Sequence, residues 1–458
     1  MKYFNKVLSF RQPKSKLPAL LRPPKANEAL KNYLKTHSAT RAIVFFRKLW
    51  RQNPSAVDSY SSLYVLKVCT QESLTVEGRQ LHAMVKKVGF EPVIFLQTCL
   101  IEFYSKMGDV DYARRIFDEV CCKNAICWTS LITAYIDNNM ARKALTIFRQ
   151  MLMNKIEPDQ VSLTVALAAC ADLGALCVGE WIHAYTCRKY GIKIDLCLSN
   201  ALIDMYLKCG QIRAARRLFC ISREKDVFTW TSMIVGHALH GQSVEALDLF
   251  ARMRQTRSSV KGSKPSVLPN DVTFLGVLMA CSHGGMIEEG KQYYKSMMDD
   301  YGLWPRLPHL GCMVDLFCRA GLLEEAYGFI SGMLVQPNAL IWRMLLGACC
   351  NHGNIELGGK VRLLLSKLDP THTGDDVTLS NMYAGRGLWN EKMMVRDSIG
   401  CRRVPGCSSI EVAFEVNEFV AGDNHHPLKA EIYNVLEHLM GIVRSHSHIP
   451  DASDINSY

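Results

Sequence analysis

No two of the 18 cysteines stand in a CxxC pair, so the ligand spacing usual for structural zinc and for dithiol redox centres is absent. A chain of 458 residues is also not a small secreted disulfide scaffold. No run of eighteen or more apolar residues occurs, so no membrane span and no membrane partner are expected. No metal and no cofactor are expected. Acidic residues are missing from the N-terminal stretch: Lys2, Lys6, Arg11, Lys14, Lys16, Arg22 and Lys25 all precede the first one, Glu28. Phe4, Val7, Leu8, Phe10 and Leu17 are interleaved with them, and serine is sparse. A basic, acid-free, partly amphipathic leader fits an organellar transit peptide over residues 1–22. The low serine content points to the mitochondrion ahead of the chloroplast. A basic RNA-binding arm or a disordered leader is the alternative.

What is present is the composition of a folded protein, 48% hydrophobic and 21% charged, which excludes disorder beyond the ends. The length exceeds what one compact core organises, so several domains or a repeat array are expected. A formal charge of +11 fits an anionic partner without identifying one.

Repeats are legible. The segments CLIEFYSKMGDVDYARRIF from Cys99, SLITAYIDNNMARKALTIF from Ser130, ALIDMYLKCGQIRAARRLF from Ala201, SMIVGHALHGQSVEALDLF from Ser232 and CMVDLFCRAGLLEEAYGFI from Cys312 align without a gap. A second set, starting at Cys69, Cys170 and Cys281, interleaves with the first. The Ser/Lys/Gly-rich stretch near 257–267 lengthens one interval and reads as a loop insertion. The supra-repeat is a triplet of units of about 35, 35 and 31 residues. In the unit from Ala125, Trp128, Leu131, Ile132 and Tyr135 follow i, i+3, i+4, i+7, one face of a helix. Asp137-Asn138-Asn139 interrupts it, Leu145, Phe148 and Met151 form a second face, and Pro158-Asp159 closes the unit. Neither helix buries its stripe alone. Stacked hairpins do, so the expected fold is all-α, a right-handed α-solenoid with contacts mainly between adjacent units. The recurrent cysteines read as small apolar packing residues.

The segments VLMACSHGGMIEEG, GCMVDLFCRAGLLEEA and ALIDMYLKCG resemble the plant pentatricopeptide-repeat (PPR) family, and the alternation of unit lengths resembles its PLS subfamily. The tetratricopeptide pattern, the other helical hairpin of this length, does not recur. PNALIWRMLLGACCNHGNIELG from Pro337 and DDVTLSNMYAGRGLWNEKMMVRDSI from Asp375 resemble the E motifs of that subfamily. The stretch from Val404 to Leu436 resembles its E+ segment, with Ser409 where the family's PG box usually has Trp. Alternating Ile410, Val412, Phe414, Val416 and Phe419 read as a short β-hairpin, and residues 428–444 as an amphipathic helix. The expected organisation is a repeat array of about nine units over 23–338, E motifs over 339–403, a small α+β E+ segment over 404–445 and a flexible tail over 446–458.

The resemblance implies that each reading unit presents one RNA base to the fifth residue of its first helix and to the last residue of the unit, with aliphatic residues of neighbouring first helices sandwiching the base. It associates Thr129 with Asp159 with guanine, Asn200 with Asp226 with uracil, Thr98 with Asn124 and Thr231 with Asn270 with adenine, and Asn27 with Asp58 with uracil. Leu63, Thr164 and Leu275 occupy the fifth position of the longer units, which then space the array. Gly311 has no side chain, so Asn338 is assigned no base. Each Thr, Asn or Asp would serve equally as a helix cap or a local backbone bond.

Relatives with this C-terminal organisation are cytidine-to-uridine editing factors, and some carry a DYW deaminase that needs HxE and CxxC. None of the 14 histidines is followed two residues later by glutamate, and the sequence given ends at Tyr458 without that motif. The expectation is a non-enzymatic factor that binds single-stranded organellar RNA and recruits a DYW-type deaminase in trans, with other editing-complex proteins as further partners. A PPR factor for transcript stabilisation, processing or splicing, and a protein-binding helical scaffold, are the alternatives.

Overall fold

The computed structural model describes residues 27, 28, 30, 32, 39–52, 57–90, 92–190, 194–222, 224–255, 267–370, 372–397, 407–412, 415–420 and 429–446. The expected transit peptide, nearly all of the loop insertion, and the tail beyond residue 446 lie outside them. The chain divides into two compact units, Met1–Asp172 with Ile182–Ala201 and Leu173–Trp181 with Leu202–Tyr458.

Helical hairpins follow one another along the chain. After α1 (Ala39–Gln52), the pairs are α2 (Ser59–Gln71) with α3 (Thr75–Val88), α4 (Ile94–Lys106) with α5 (Val110–Glu119), and α6 (Ala125–Asp137) with α7 (Ala141–Met153). Next in chain order come α8 (Gln160–Leu173), α9 (Leu176–Tyr190), α10 (Leu196–Lys208) and α11 (Ile212–Ile221), and then α12 (Val227–Leu239) with α13 (Ser243–Gln255). The series continues with α14 (Asp271–Gly284) and α15 (Ile287–Asp299), α16 (Leu307–Arg319) and α17 (Leu323–Ser331), α18 (Ala339–His352) and α19 (Ile355–Leu368), and α20 (Gly374–Gly385) and α21 (Trp389–Asp397). Strands β1 (Cys407–Val412) and β2 (Glu415–Val420) pair antiparallel, with Ser409 opposite Glu418, and α22 spans Lys429–His446.

The turn inside a hairpin needs a left-handed residue to reverse the chain. Glycine supplies it at Gly108 and Gly210, and Asn139 does so at φ +58°, consistent with the tolerance of asparagine for that region. This is why Asp137-Asn138-Asn139 interrupts the helical pattern without interrupting the repeat.

Packing runs from each first helix to the next. In the first unit α2 packs on α4 and α4 on α6; in the second, α12 packs on α14, α14 on α16, α16 on α18 and α18 on α20. Trp128, Leu131, Ile132 and Tyr135 are buried on α6, as are Leu145, Phe148 and Met151 on α7. In α3, α5, α7, α11, α13, α15, α17 and α19 the fourth residue is small, because the next first helix crosses there. It is Ala113, Ala144, Ala215, Ala246 or Ala326, each fully buried, or Gly78, Gly290 or Gly358. A Cβ on Gly78 would run into the Phe103 ring. Fully burying a ring such as Phe103 contributes about 1.5–3 kcal/mol. Equivalent edge-to-face pairs recur between units, Phe117 on Trp128 (4.9 Å) and Phe219 on Trp230 (5.0 Å). Farther along, Arg343 bridges Asp369 (2.7 Å) and the buried Asp375 (2.8 Å), tying α18 to the start of α20.

Cys69, Cys170 and Cys281 are fully buried in equivalent first helices. Burial pushes the Cys69 thiol up to about 11 and the Cys99, Cys281 and Cys318 thiols to about 12. Thiolates are the reactive form, so an alkylating reagent at about neutral pH is expected to label the exposed Cys121, Cys122 and Cys220 and to spare these four until the chain unfolds. Mass spectrometry of the labelled peptides checks this. Because the folded thiols hold their protons beyond the ordinary value of 9.0, their contribution to stability is complete below about pH 9 and is lost as pH rises toward 12. A melting temperature that rises across that window would contradict this.

Candidate nucleic-acid interface

A first helix begins with N–H groups that have no partner within it. The last residue of the preceding repeat supplies one. Asp58 caps α2, Asn124 caps α6, Asp226 caps α12, Asn270 caps α14 and Asn338 caps α18, each through a side-chain oxygen and the backbone N–H three residues on. Asp159 accepts from Ser162 N in the same way, at 2.7 Å. The capping alternative therefore holds at these positions, and it coexists with a second arrangement.

The fifth residue of a first helix reaches across to this cap. Asn27 Nδ2 donates to both oxygens of Asp58, at 2.9 and 3.1 Å. Thr129 Oγ1 lies 2.7 Å from Ser162 Oγ, which is itself 2.7 Å from Asp159 Oδ1. Thr231 Oγ1 lies 2.7 Å from Thr273 Oγ1, which is 2.9 Å from Asn270 Oδ1. Asn270 Oδ1 accepts the Thr273 N–H, which fixes the amide orientation and leaves Nδ2 as the outward donor. The structure thus links Asn27 with Asp58 directly, and links Thr129 with Asp159 and Thr231 with Asn270 through a hydroxyl. It does not link Thr98 with Asn124; Thr98 Oγ1 instead donates to the Phe95 carbonyl at 3.0 Å. Asn200 is half-buried on α10, and Asp226 forms a reciprocal cap with Thr229. In the longer units Leu63 and Leu275 offer no hydrogen-bonding group, and Thr164 Oγ1 is tied to the Gln160 carbonyl at 2.8 Å.

Apolar residues stand exposed beside these polar pairs. The second residue of each first helix is exposed at Tyr60, Ile126 (60%), Val161 (60%), Phe228 (69%), Val272 and Leu340. Ile126 and Val161 flank a cleft of about 370 Å³ that also contains Thr129 and Asp159. At the first step, Tyr60 and Phe95 stack on each other, with centroids 4.9 Å apart. An exposed apolar wall beside a short polar edge matches a planar ring with a hydrogen-bonding rim. Sequence reasoning placed the polar pairs but not the buried linking hydroxyls Ser61, Ser162 and Thr273, although Asp/Asn-x-x-Ser/Thr at a helix start marks them.

Residues 123–172 match the PPR repeat family, and residues 98–124, 198–227, 228–256, 272–301 and 309–336 match the PPR repeat. A pentatricopeptide repeat-containing protein of Arabidopsis thaliana is 37% identical, with the match covering 87% of this chain and 80% of that protein. The chain belongs to the pentatricopeptide repeat family. A chloroplastic PPR protein of the same plant is 39% identical over 87% of this chain and 53% of its own length, and a chloroplastic/mitochondrial one is 37% identical over 90% and 65%. This PPR chain thus spans roughly half to two thirds of the length of those two relatives. Among solved structures, the PPR protein PPR10 in complex with an 18-nt psaJ RNA element superposes with a TM-score of 0.65 at 15% identity, covering 84% of this chain and 56% of that one. That likeness establishes the helical-repeat solenoid fold.

The cap at the cleft can be tested alone. Replacing Asp159 by alanine removes the bond to Ser162 N and is expected to cost about 1 kcal/mol of stability, measured by denaturant unfolding. An unchanged midpoint would show that the cap does not hold α8.

Proposed function

We propose that this PPR protein binds single-stranded organellar RNA in a sequence-specific manner, one base per reading unit. The observation that carries the reading is the cleft at Thr129 and Asp159, where two exposed aliphatic side chains flank two fixed polar groups. Stacking on such walls contributes affinity for any base, and the polar rim selects among them. Thr129 and Asp159 present acceptors, which suit the N–H donors of guanine. Thr231 presents an acceptor and Asn270 a donor, which suit the amino group and ring nitrogen of adenine. Asn27 with Asp58, and Asn200 with Asp226, carry the residue types associated with uracil, and Thr98 with Asn124 those associated with adenine. The RNA-bound state of the PPR10 structure supports the assignment by fold.

The finer reading is a site-recognition factor for cytidine-to-uridine editing, itself non-enzymatic, with a DYW-type deaminase supplied in trans. It rests on the resemblance of α18 to α21 to E motifs and of the stretch around β1, β2 and α22 to an E+ segment of the PLS subfamily. The PG box itself lies outside the described residues apart from its Ser409 neighbourhood on β1. The relatives are named chloroplastic or mitochondrial, which supports an organelle; the serine-poor leader favours the mitochondrion.

Selection from a randomised single-stranded RNA library tests the binding. Asn270→Asp turns the outward donor into an acceptor and is expected to move one column from adenine to guanine, by about tenfold for a discrimination of roughly 1–3 kcal/mol. An equal loss for all bases would sink the register. For editing, a plant lacking the protein is expected to leave one or a few organellar cytidines unedited. Complete editing with altered transcript ends would favour the stabilising or processing role.

A further inference from the structure

Two pairs in this chain carry the same two reading residues, Thr98 with Asn124 and Thr231 with Asn270, yet they are built differently. The difference is the third residue of the following first helix, Cys127 in one and Thr273 in the other. Thr273 is fully buried and sits between Thr231 and Asn270 at 2.7 and 2.9 Å. The Asn270 amide oxygen carries no hydrogen, so that contact uses the single Thr273 hydroxyl proton. The Thr231 contact must then use the Thr231 proton. Both short contacts are hydrogen bonds in only one way, and in it Thr231 faces outward with lone pairs alone. The Thr129, Ser162 and Asp159 chain differs, because Thr129 Oγ1 also lies 2.9 Å from the Ala125 carbonyl and its one proton has two acceptors. Reversing the Thr231 hydroxyl would break a bond and strand a buried one.

At Cys127 this lock is missing. The thiol makes no hydrogen bond to the Thr98 or Asn124 side chain among the described residues, and the Asn124 side chain accepts the Cys127 N–H at 3.0 Å. Thr98 gives its proton to the Phe95 carbonyl, a second bond for an oxygen that already serves the helix. It can release that bond and donate to a base. An outward Thr that both donates and accepts does not separate adenine, with its amino donor, from guanine, with its carbonyl acceptor.

We infer that the buried hydroxyl at this third position is a specificity-determining positioning residue, and that the Thr98/Asn124 unit, lacking it, accepts either purine while the Thr231/Asn270 unit selects adenine. The inference rests on the base-reading function proposed above. The same library selection on the full chain tests it, with Asn124→Asp and Asn270→Asp marking which column each pair reads. Wild type is expected to favour adenine over guanine by about tenfold in the Asn270 column, the value of roughly one hydrogen bond, and to show a near-even ratio in the Asn124 column. Cys127→Ser is expected to raise adenine preference in the Asn124 column alone, and Thr273→Val to lower it in the Asn270 column alone, with both variants retaining the wild-type circular dichroism. An unchanged Asn124 column in folded Cys127→Ser, or a uniform loss across all columns in Thr273→Val, would overturn the inference. A wild-type profile with no base preference in any column would instead overturn the RNA-reading function on which it rests.

Discussion

The first turn of a helix holds N–H groups that the helix itself cannot satisfy, and at α2, α6, α8, α12, α14 and α18 the side chain that satisfies one belongs to the preceding repeat. That junction does two jobs with the same side chain. The oxygen of Asp159 or Asn270 closes the new helix, and closing it fixes where the rest of the side chain points. Because the fifth residue of the previous first helix lies across the groove, the cap also joins neighbouring repeats. Remove the requirement for a cap, and both the register of the stack and the placement of the polar rim lose their anchor.

The remaining architecture serves that junction. Small residues on the second helices, Ala113 or Gly78, let successive first helices approach closely enough for a Thr hydroxyl to reach the next helix. Buried thiols and the recurring Phe–Trp pairs fill the space behind them. Apolar faces pointing into the stack leave the second residue of several first helices outside it, and Ile126, Val161, Phe228, Val272 and Leu340 stand exposed beside the caps. A surface of alternating apolar wall and polar edge follows from the hairpin geometry without any dedicated binding loop.

Much of this was legible in the residues. The 3.6-residue periodicity of Trp128 to Tyr135 and of Leu145 to Met151 is local, so the hairpins, their boundaries and the buried faces could be read directly, as could the all-α class. The paired polar residues came from the resemblance to the PPR family, which places them at the fifth residue of a first helix and the last residue of the unit. Their geometry was not legible. Thr98 with Asn124 and Thr231 with Asn270 are the same letters at the same positions, and only the structure shows one pair linked and the other apart.

The sequence by itself determined where each helix starts and stops, because caps and turns act over three or four residues, as between Asn270 and Thr273. It also determined that the helices come in hairpins, since each apolar stripe requires a partner. Tertiary structure alone decided which hydroxyls meet across the groove. Those contacts join residues 33 positions apart at Thr129 and Ser162 and 42 apart at Thr231 and Thr273. A separation of that kind is set by how closely two helices pack, and no local pattern encodes it.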